Sequence, residues 1–279
     1  MSEQAAKLLE IRRLNVFFRN DDERVHAIKD VNLHVGRGEL VTVVGESGSG
    51  KTVTVRSILG LLPAAQTIYD GGEIRFEGRN LLDNKPEDWS AIRGSQISMV
   101  FQDPMTALNP VFTVGTQLEN VYVYQGMRRM FGLSQRDKRR RKQEARARAL
   151  ELLEKMKLPD PPALLNRYPF ELSGGMRQRI VIALALMHTP RLLIADEPGT
   201  ALDVTVQDSI NKELKRLVRD ENISMIYITH NLGVAREMGE RTYVMQHGRV
   251  VEEGSTKDVF SAPRHDYTRS LLQAVPKLV

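Results

Sequence analysis

The chain has 279 residues, with 40 Lys and Arg against 35 Asp and Glu, and it contains no cysteine. The lack of cysteine excludes a disulfide framework, a thiolate zinc site, a cysteine-ligated iron–sulfur cluster and a cysteine nucleophile. The formal net charge of +5 is modest for this length, so it does not by itself argue for nucleic acid or anionic lipid as a partner.

The first third of the chain predicts strands on either side of a glycine-rich turn. Residues 1–14 are charged and lack the apolar stretch of a signal peptide, so we expect a cytoplasmic protein. Residues 11–35 and 68–78 alternate in polarity between turn signals, which predicts an antiparallel sheet beside the core. The β-branched run 40–44 precedes the glycine-rich turn, and an apolar-periodic helix follows over 53–62.

The middle of the chain predicts an inserted helical subdomain. Residues 113–165 are charged, favour helix and end in a proline-rich breaker at 158–162. Between Arg128 and Arg148 the sequence has ten Lys or Arg against two acidic residues. This run could attract anionic lipid, but a solvated helix face is the usual meaning of such a run, and both interpretations stay open.

The last part of the chain predicts an α/β core. A helix over 176–187 contains the longest apolar run, which is too short to cross a bilayer about 30 Å thick. Continuous apolar runs at 191–195 and 224–229 suit strands covered by helices on both faces, and a periodic helix follows Asp203. A hairpin is predicted over 243–251. Alternating strands and helices indicate a doubly wound, mostly parallel sheet.

The glycine-rich turn Gly45–Thr52 fits the pattern G-x-x-x-x-G-K-[ST] between a strand and a helix. Its glycines allow successive backbone N–H groups to face phosphate oxygens at a helix N-terminus. Lys51 supplies a charge for the β- and γ-phosphates, and the Thr52 hydroxyl suits Mg²⁺. The alternative is a glycine-rich turn without a ligand. The motif predicts a nucleoside triphosphate and does not separate a kinase, a GTPase and a motor.

Two carboxylates end the strand at 191–195. Asp196 suits the Mg²⁺ shell, and Glu197 suits a general base for an attacking water. A solvated strand end is the alternative. The segment Leu172–Gln178 then gives a second capped helix start with bare glycines, which indicates a second anion site unless it is an ordinary capped start. Two copies arranged head to tail would use both sites.

These motifs, in their order along the chain, resemble those of the ATP-binding cassette family, and the resemblance extends over nearly the whole chain. Further motifs in family order are Gln102 in its VFQDP segment, Thr200–Asp203, and His230. The resemblance implies a P-loop NTPase (RecA-like) core with a flanking antiparallel β-sheet and an inserted α-helical subdomain over about 103–175. It implies an ATPase domain over 1–262 that drives a transporter through dimer closure and hydrolysis of ATP with Mg²⁺.

The resemblance also implies roles for particular residues. Catalysis would involve Glu197, His230 and Gln102, and Mg²⁺ would be bound by Thr52, Gln102 and Asp196. The nucleotide would contact Phe18, Gly45, Glu46, Ser47, Gly48, Ser49, Gly50, Lys51, Thr52, Val53, Ser173, Gly174, Gly175, Met176, Gln178 and Asp203. Each has a plainer alternative: Phe18 could be a core residue beside Phe17, Gln102 a surface amide, and His230 a structural histidine. Structural roles are also predicted for His26, His34, His188, His247 and His265.

Finer features resemble the ATPases of peptide and nickel importers. These features are the GES opening of the loop, Phe101–Pro110, Ala201–Gln207, and a tail over 263–279 that contains His265–Arg269. The chain departs from that pattern in three residues: Asp266 stands where a proline is usual, Phe170 where a histidine is frequent, and Gly199 where a threonine is usual. It also ends at Val279 without the cysteine-bearing extension of some members. The cargo therefore stays open among peptide, opine, metal chelate and sugar.

The implied partners are a second ATPase subunit, identical or paralogous, two transmembrane permease subunits and, indirectly, an extracytoplasmic solute-binding protein. Nucleic acid is not expected. The implied location is the cytoplasmic face of the inner membrane. Two other functions stay open: an ATPase of a soluble complex in enzyme assembly, translation or DNA repair, and a P-loop kinase, against which the LSGGMRQ segment argues.

Overall fold

The computed structural model describes residues 7–20, 23–124, 134–200 and 202–274, with the backbone alone at positions 20, 104 and 105. The beginning of the basic run, Ala201 and the end of the tail lie outside these residues. The strands are β1 (Lys7–Asn20), β2 (Glu23–Gly36), β3 (Leu40–Val44), β4 (Thr67–Tyr69), β5 (Glu73–Phe76), β6 (Arg79–Asn80), β7 (Ile97–Val100), β8 (Leu192–Asp196), β9 (Ser224–Thr229), β10 (Arg241–Gln246) and β11 (Arg249–Ser255).

The α-helices are α1 (Lys51–Ile58), α2 (Pro104–Ala107), α3 (Val114–Tyr124), α4 (Gln135–Lys155), α5 (Pro161–Leu164), α6 (Gly174–Leu186), α7 (Val204–Asp220), α8 (Leu232–Met238), α9 (Thr256–Ser261) and α10 (Asp266–Gln273). Within the described residues, none of these helices combines the length and the apolar character that a membrane span needs. The chain divides into two compact units, one formed by Met1–Lys85 with Ser224–Val279 and the other by Pro86–Ile223.

The first unit contains the predicted antiparallel sheet, with strand order β2-β1-β5-β6 and β4 also paired with β1. Buried residues of facing strands lie opposite one another, as with Leu9 and Phe76 or Ile11 and Ile74. Such apolar cross-strand pairs stabilise a half-buried sheet. The prediction is confirmed, although β1 begins at Lys7 and is longer than the alternating pattern indicated.

The first unit also contains a second set of strands, in the order β11-β10-β3-β9. Strand β3 is parallel to both β10 and β9, and every residue of β3 and β9 is buried. This confirms that the continuous apolar runs are strands covered on both faces. The predicted hairpin is formed by β10 and β11, and its two turn residues, His247 and Gly248, both have positive φ, as a two-residue turn of type I′ requires.

Helix α1 follows the glycine-rich turn but ends at Ile58, four residues before the predicted end. Gly60 has a φ of +57°, its N–H donates to the Ser57 carbonyl, and the Leu61 N–H donates to the Arg56 carbonyl. These two hydrogen bonds and the left-handed glycine form a Schellman motif, which terminates the helix.

The second unit contains the parallel strands β7 and β8 and helices α2 to α7. The helical segment predicted before the proline-rich breaker is formed by α3 and α4, and Asp160 caps the short α5 that follows. The end of α7 is joined to α4 by ion pairs, because the Glu221 carboxylate accepts hydrogen bonds from Arg148 and Lys155. Helices α6 and α7 are joined by an ion pair between Arg179 and Glu213, at 2.8 Å.

Candidate nucleotide-binding site

In the first unit, the glycine-rich turn leads from buried β3 into α1. Gly50 is the N-cap of α1 in the left-handed conformation, and it has no side chain to cap the first N–H groups of the helix. These N–H groups and the positive end of the helix dipole form an anion site. Glu46, Ser47 and Gly48 are exposed, whereas Gly45 and Ser49 are buried. The turn therefore has the form of a phosphate-binding loop, and we use that name for Gly45–Thr52.

Lys51 lies along this loop and is only 6% exposed. Its Nζ donates hydrogen bonds of 2.8 Å to the Gly45 carbonyl and 2.9 Å to the Glu46 carbonyl. The Ser49 Oγ is buried and has no hydrogen-bond partner among the described residues. A cation and an unsatisfied hydroxyl beside a helix N-terminus suit an anionic ligand, because a buried polar atom without a partner is costly.

The other end of the loop is held by the β10–β11 turn. The Gly248 N–H donates a 3.0 Å hydrogen bond to the Ser49 carbonyl, and the Lys29 N–H donates one of 2.8 Å to the Gly248 carbonyl. The sequence predicted the hairpin but not this contact, because nothing local to the turn indicates what it touches.

In the second unit, β8 ends in the two predicted carboxylates. Asp196 is 4% exposed and is the last residue of the strand. Glu197 has a φ of +49°, a conformation rare for residues other than glycine and common where function imposes backbone strain. The Thr200 hydroxyl donates to Glu197 Oε2 over 3.2 Å, and the Gly199 N–H donates to the Glu197 carbonyl over 2.7 Å. Thr200 thus orients the carboxylate, a role that the sequence did not indicate.

The segment Leu172–Gln178 contains the start of α6, which begins at Gly174, two residues before the predicted start of the helix. Ser173 is the N-cap, and its Oγ accepts a hydrogen bond from the Met176 N–H. A Cβ at Gly174 would lie 3.2 Å from a Leu202 methyl carbon, and one at Gly175 would lie 2.8 Å from a Val206 methyl carbon. The two glycines therefore allow close packing within this unit, in addition to any contact with a nucleotide. Gln178 is 1% exposed, and its Nε2 has no partner among the described residues.

The other predicted site residues have the following places. Gln102 is exposed after β7, and Asp203 is the exposed N-cap of α7, where its Oδ1 accepts a hydrogen bond from the Val206 N–H. His230 is exposed between β9 and α8.

Phe18, the residue predicted to stack on the nucleotide base, is half-buried on β1. The preceding residue, Phe17, stacks on His26 with 3.9 Å between ring centroids. Because neighbouring residues of a strand face opposite sides, Phe18 points away from the side on which Phe17 stacks on His26.

The remaining histidines have contacts of a structural kind. His34 lies against Arg241, and His188 stacks on Tyr122 and bonds to the Val121 carbonyl. Burial lowers the pKa of both rings. His265 caps α10, and His247 lies in the hairpin turn.

The departures from the importer pattern have physical explanations in two cases. Asp266 is the first residue of α10 and pairs with Arg269, so it suits a helix N-terminus as a proline would. At Gly199, a Cβ would lie 2.9 Å from the Gln207 Cγ, so a larger residue would displace Gln207. Phe170 is 70% exposed, and nothing in the structure explains its presence.

Comparison with known proteins agrees with this geometry. The family model described as ABC transporter matches residues 28–200, and the model described as the C-terminal region of oligopeptide/dipeptide transporters matches residues 251–279. The chain therefore belongs to the ABC transporter family. It is the ATP-binding subunit, an ATPase whose hydrolysis of ATP is coupled to transport.

Two relatives that are similar over nearly the whole chain are ATP-binding proteins of peptide transport. The oligopeptide transport ATP-binding protein OppD of Bacillus subtilis is 43% identical over 275 residues, which cover 99% of this chain and 74% of OppD. The probable D,D-dipeptide transport ATP-binding protein DdpD of Escherichia coli is 43% identical over 97% of this chain and 79% of its own.

Solved structures agree with the fold. A dimeric structure of the ATP-binding cassette MJ0796 bound to ADP and Pi is 29% identical and has a TM-score of 0.72, covering 89% of this chain and 98% of its own. The structure of cbiO1 from Clostridium perfringens, part of the cbiONQ transporter complex, is 26% identical and has a TM-score of 0.74, with 92% of each chain covered. These matches confirm the predicted P-loop NTPase core.

Proposed function

We propose that this chain is the ATP-hydrolysing subunit of an importer for peptides or related small solutes. The observation that carries the proposal is the likeness to peptide transport ATP-binding proteins over nearly the whole chain, together with the match of residues 251–279 to the C-terminal region of such transporters. The cargo is assigned by this likeness, since the residues that bind ATP do not contact cargo.

In this proposal, the phosphate-binding loop binds ATP. The loop's N–H groups and Lys51 bind the phosphates, and the Thr52 hydroxyl faces the same end of the nucleotide. Glu197 accepts a proton from the attacking water, with its carboxylate oriented by Thr200. His230 contacts the γ-phosphate, and Phe18 stacks on the adenine.

The residues proposed to bind Mg²⁺ fit this ion chemically. A hydroxyl from Thr52, a carboxylate from Asp196 and an amide oxygen from Gln102 are hard oxygen donors, which Mg²⁺ prefers. When bound, Mg²⁺ neutralises the charge that develops on the phosphate oxygens.

Two such subunits, identical or paralogous, associate head to tail in this proposal. Ser173, Gly174, Gly175 and Met176 of each subunit then face the nucleotide of the other, and Asp203 couples the two sites. Gln178 is also predicted to bind the nucleotide, but it is 1% exposed and does not reach this surface in the single subunit. The pair acts at the cytoplasmic face of the inner membrane on two permease subunits, which receive solute from an extracytoplasmic binding protein.

Co-purification from the native membrane tests the proposal. We expect the tagged chain to bring down two multi-span membrane proteins, and vesicles containing that complex to take up labelled di- or oligopeptides when ATP is supplied. Uptake of metal chelates or sugars in place of peptides contradicts the cargo assignment. Recovery of ribosomes, DNA or a soluble enzyme contradicts the transport role.

A further inference from the structure

The carboxyl-terminal helix α10 reaches the phosphate-binding loop through one side chain. The Tyr267 hydroxyl oxygen accepts a 3.1 Å hydrogen bond from the Glu46 N–H. The two residues are 221 positions apart in the chain, so the contact depends on tertiary structure. Tyr267 lies within residues 251–279, a region that none of the roles assigned above involves.

The Tyr267 hydrogen bond fixes the same peptide group that holds Lys51. The Glu46 N–H belongs to the planar peptide unit whose carbonyl is that of Gly45. That Gly45 carbonyl accepts a 2.8 Å hydrogen bond from Lys51 Nζ. The N–H of this peptide therefore bonds to Tyr267, and its carbonyl bonds to Lys51. A rotation of the peptide would displace the carbonyl oxygen to which the Lys51 ammonium donates.

The ring of Tyr267 is held by packing that does not involve the loop. It packs with Leu271 on a buried apolar cluster that includes Val44, Val244 and Leu232. Val44 is the residue directly before Gly45, and Leu232 is the first residue of α8, which follows His230. The cluster thus joins α10 to the strand that enters the loop.

The start of α10 is fixed by a separate set of hydrogen bonds. The Glu252 carboxylate accepts one from the Arg264 N–H at 2.8 Å and one from the His265 N–H at 3.0 Å. The Tyr267 N–H donates to the His265 ring over 3.2 Å. Helix α10 is therefore held in place by contacts outside the loop, and it positions the Tyr267 hydroxyl at the loop.

We propose that Tyr267 is a positioning residue for ATP binding: it holds the Gly45–Glu46 peptide in the orientation in which the loop and Lys51 accept the phosphates. It does not touch the nucleotide. Because coupling between two sites is reciprocal, α10 also binds more firmly to its cluster when ATP occupies the loop. The proposal rests on the loop being the ATP site and is independent of what is transported.

The substitution Tyr267→Phe tests the proposal because it keeps the ring in its cluster and removes only the hydroxyl. We expect the Kd for a non-hydrolysable ATP analogue with Mg²⁺, measured by calorimetry on the full chain, to rise about 3- to 10-fold, as for the loss of one hydrogen bond. The KM for ATP should rise by the same factor, while kcat changes by less than about twofold. Hydrogen exchange at the peptide containing Glu46 should increase.

Tyr243→Phe is the matched control. It also removes a tyrosine hydroxyl in the first unit, but that hydroxyl accepts a hydrogen bond from the His34 N–H and not from the loop. We expect it to lower the melting temperature without changing the affinity for the analogue. If Tyr267→Phe behaves in the same way, the hydroxyl is merely structural and the proposal is overturned.

A third variant separates failure of this proposal from failure of the ATP-site assignment. Lys51→Ala should abolish most analogue binding if the loop is the ATP site. If it does and Tyr267→Phe leaves the Kd unchanged, only the positioning role is wrong. If Lys51→Ala leaves binding intact, the assignment of the loop fails and the positioning role fails with it.

Discussion

Gly45 and Met245 approach each other so closely that no larger residue fits at position 45. A Cβ built on Gly45 would lie 2.2 Å from the carbonyl oxygen of Met245, the last residue but one of β10. Gly45 also has a φ of +149°, which side-chain-bearing residues rarely adopt. The first glycine of the loop is therefore required by the close packing of the neighbouring strand β10 as well as by the phosphates.

Gly45→Ala and Gly48→Ala form a matched pair that tests this. Gly48 has a φ of +79°, but a Cβ there would have nothing within 4 Å. We expect Gly48→Ala to lower the free energy of unfolding by about 1–2 kcal/mol through backbone strain alone. Gly45→Ala should lower it by more, because backbone must move. Denaturant titration measures both, and equal losses would contradict the close approach to Met245.

Lys51→Ala should weaken binding of ATP itself. The ammonium contributes charge-assisted hydrogen bonds, so we expect the Kd for ATP to rise about 10- to 100-fold, measured by calorimetry. Lys257→Ala removes an exposed lysine of the first unit and serves as the control. If the two variants bind ATP with equal Kd, Lys51 does not contribute to ATP binding.

Glu197→Gln should leave ATP binding intact and abolish turnover. Loss of a general base lowers kcat by about 10²- to 10⁴-fold. Because hydrolysis is blocked, we expect the variant to accumulate as a dimer with ATP, seen by size-exclusion chromatography. Glu144→Gln, on exposed helix surface, is the control. Hydrolysis by Glu197→Gln at the parental rate would refute the role of this carboxylate.

The ion pair between α6 and α7 predicts a large stability effect. Glu213 is 3% exposed and bonds to Arg179, so Glu213→Gln leaves a guanidinium without its counter-charge. We expect the free energy of unfolding to fall by about 3 kcal/mol. Asp208→Asn breaks an exposed pair with Lys212 and should change stability by less than about 1 kcal/mol. Similar losses in both variants would contradict the burial of the first pair.

The attachment of α10 should weaken in acid. Burial alone would raise the pKa of Glu252, but hydrogen bonds from the Arg264 and His265 N–H groups hold it below the usual 4.5. A carboxylate with a lowered pKa contributes stability that is complete above about pH 4.5 and is lost as the pH falls through the folded-state pKa.

Glu252→Gln isolates this contribution, because other carboxylates such as Glu10, whose pKa is lowered to about 2, titrate in both proteins. We expect the wild type to melt at a higher temperature than the variant near neutral pH, and the difference to shrink as the pH falls below about 4. A difference that stays constant over that range would show that the charge of Glu252 does not stabilise the fold.

Local pattern was sufficient to predict the strands and loop that form the core of the first unit. β3 and the centre of β9 are continuous apolar runs, which are typical of strands covered on both faces. The loop could be predicted because its glycines, its lysine and the helix after it all serve one ligand. The end of α1 was placed too late because the helical period continued past Gly60, whose left-handed conformation stops the helix.

The contacts that fix the site could not be predicted in this way. Thr200 lies near Glu197 in sequence, but its orienting hydrogen bond depends on the left-handed conformation of the glutamate. Gly248 and Tyr267 reach the loop from positions far along the chain, and no periodicity relates such positions. A single sequence indicates which residues carry the chemistry and leaves open what holds them in place.

The first unit is assembled from the two ends of the chain, and this has a consequence for biosynthesis. The ribosome releases residues 45–52 early, but the strands on either side of β3 begin at Ser224 and Arg241, and the hydrogen bonds from Gly248 and Tyr267 to the loop come from still later in the chain. Nascent polypeptides shorter than this therefore lack the neighbours of the loop. We therefore expect the capacity to bind ATP to arise only when translation is almost complete.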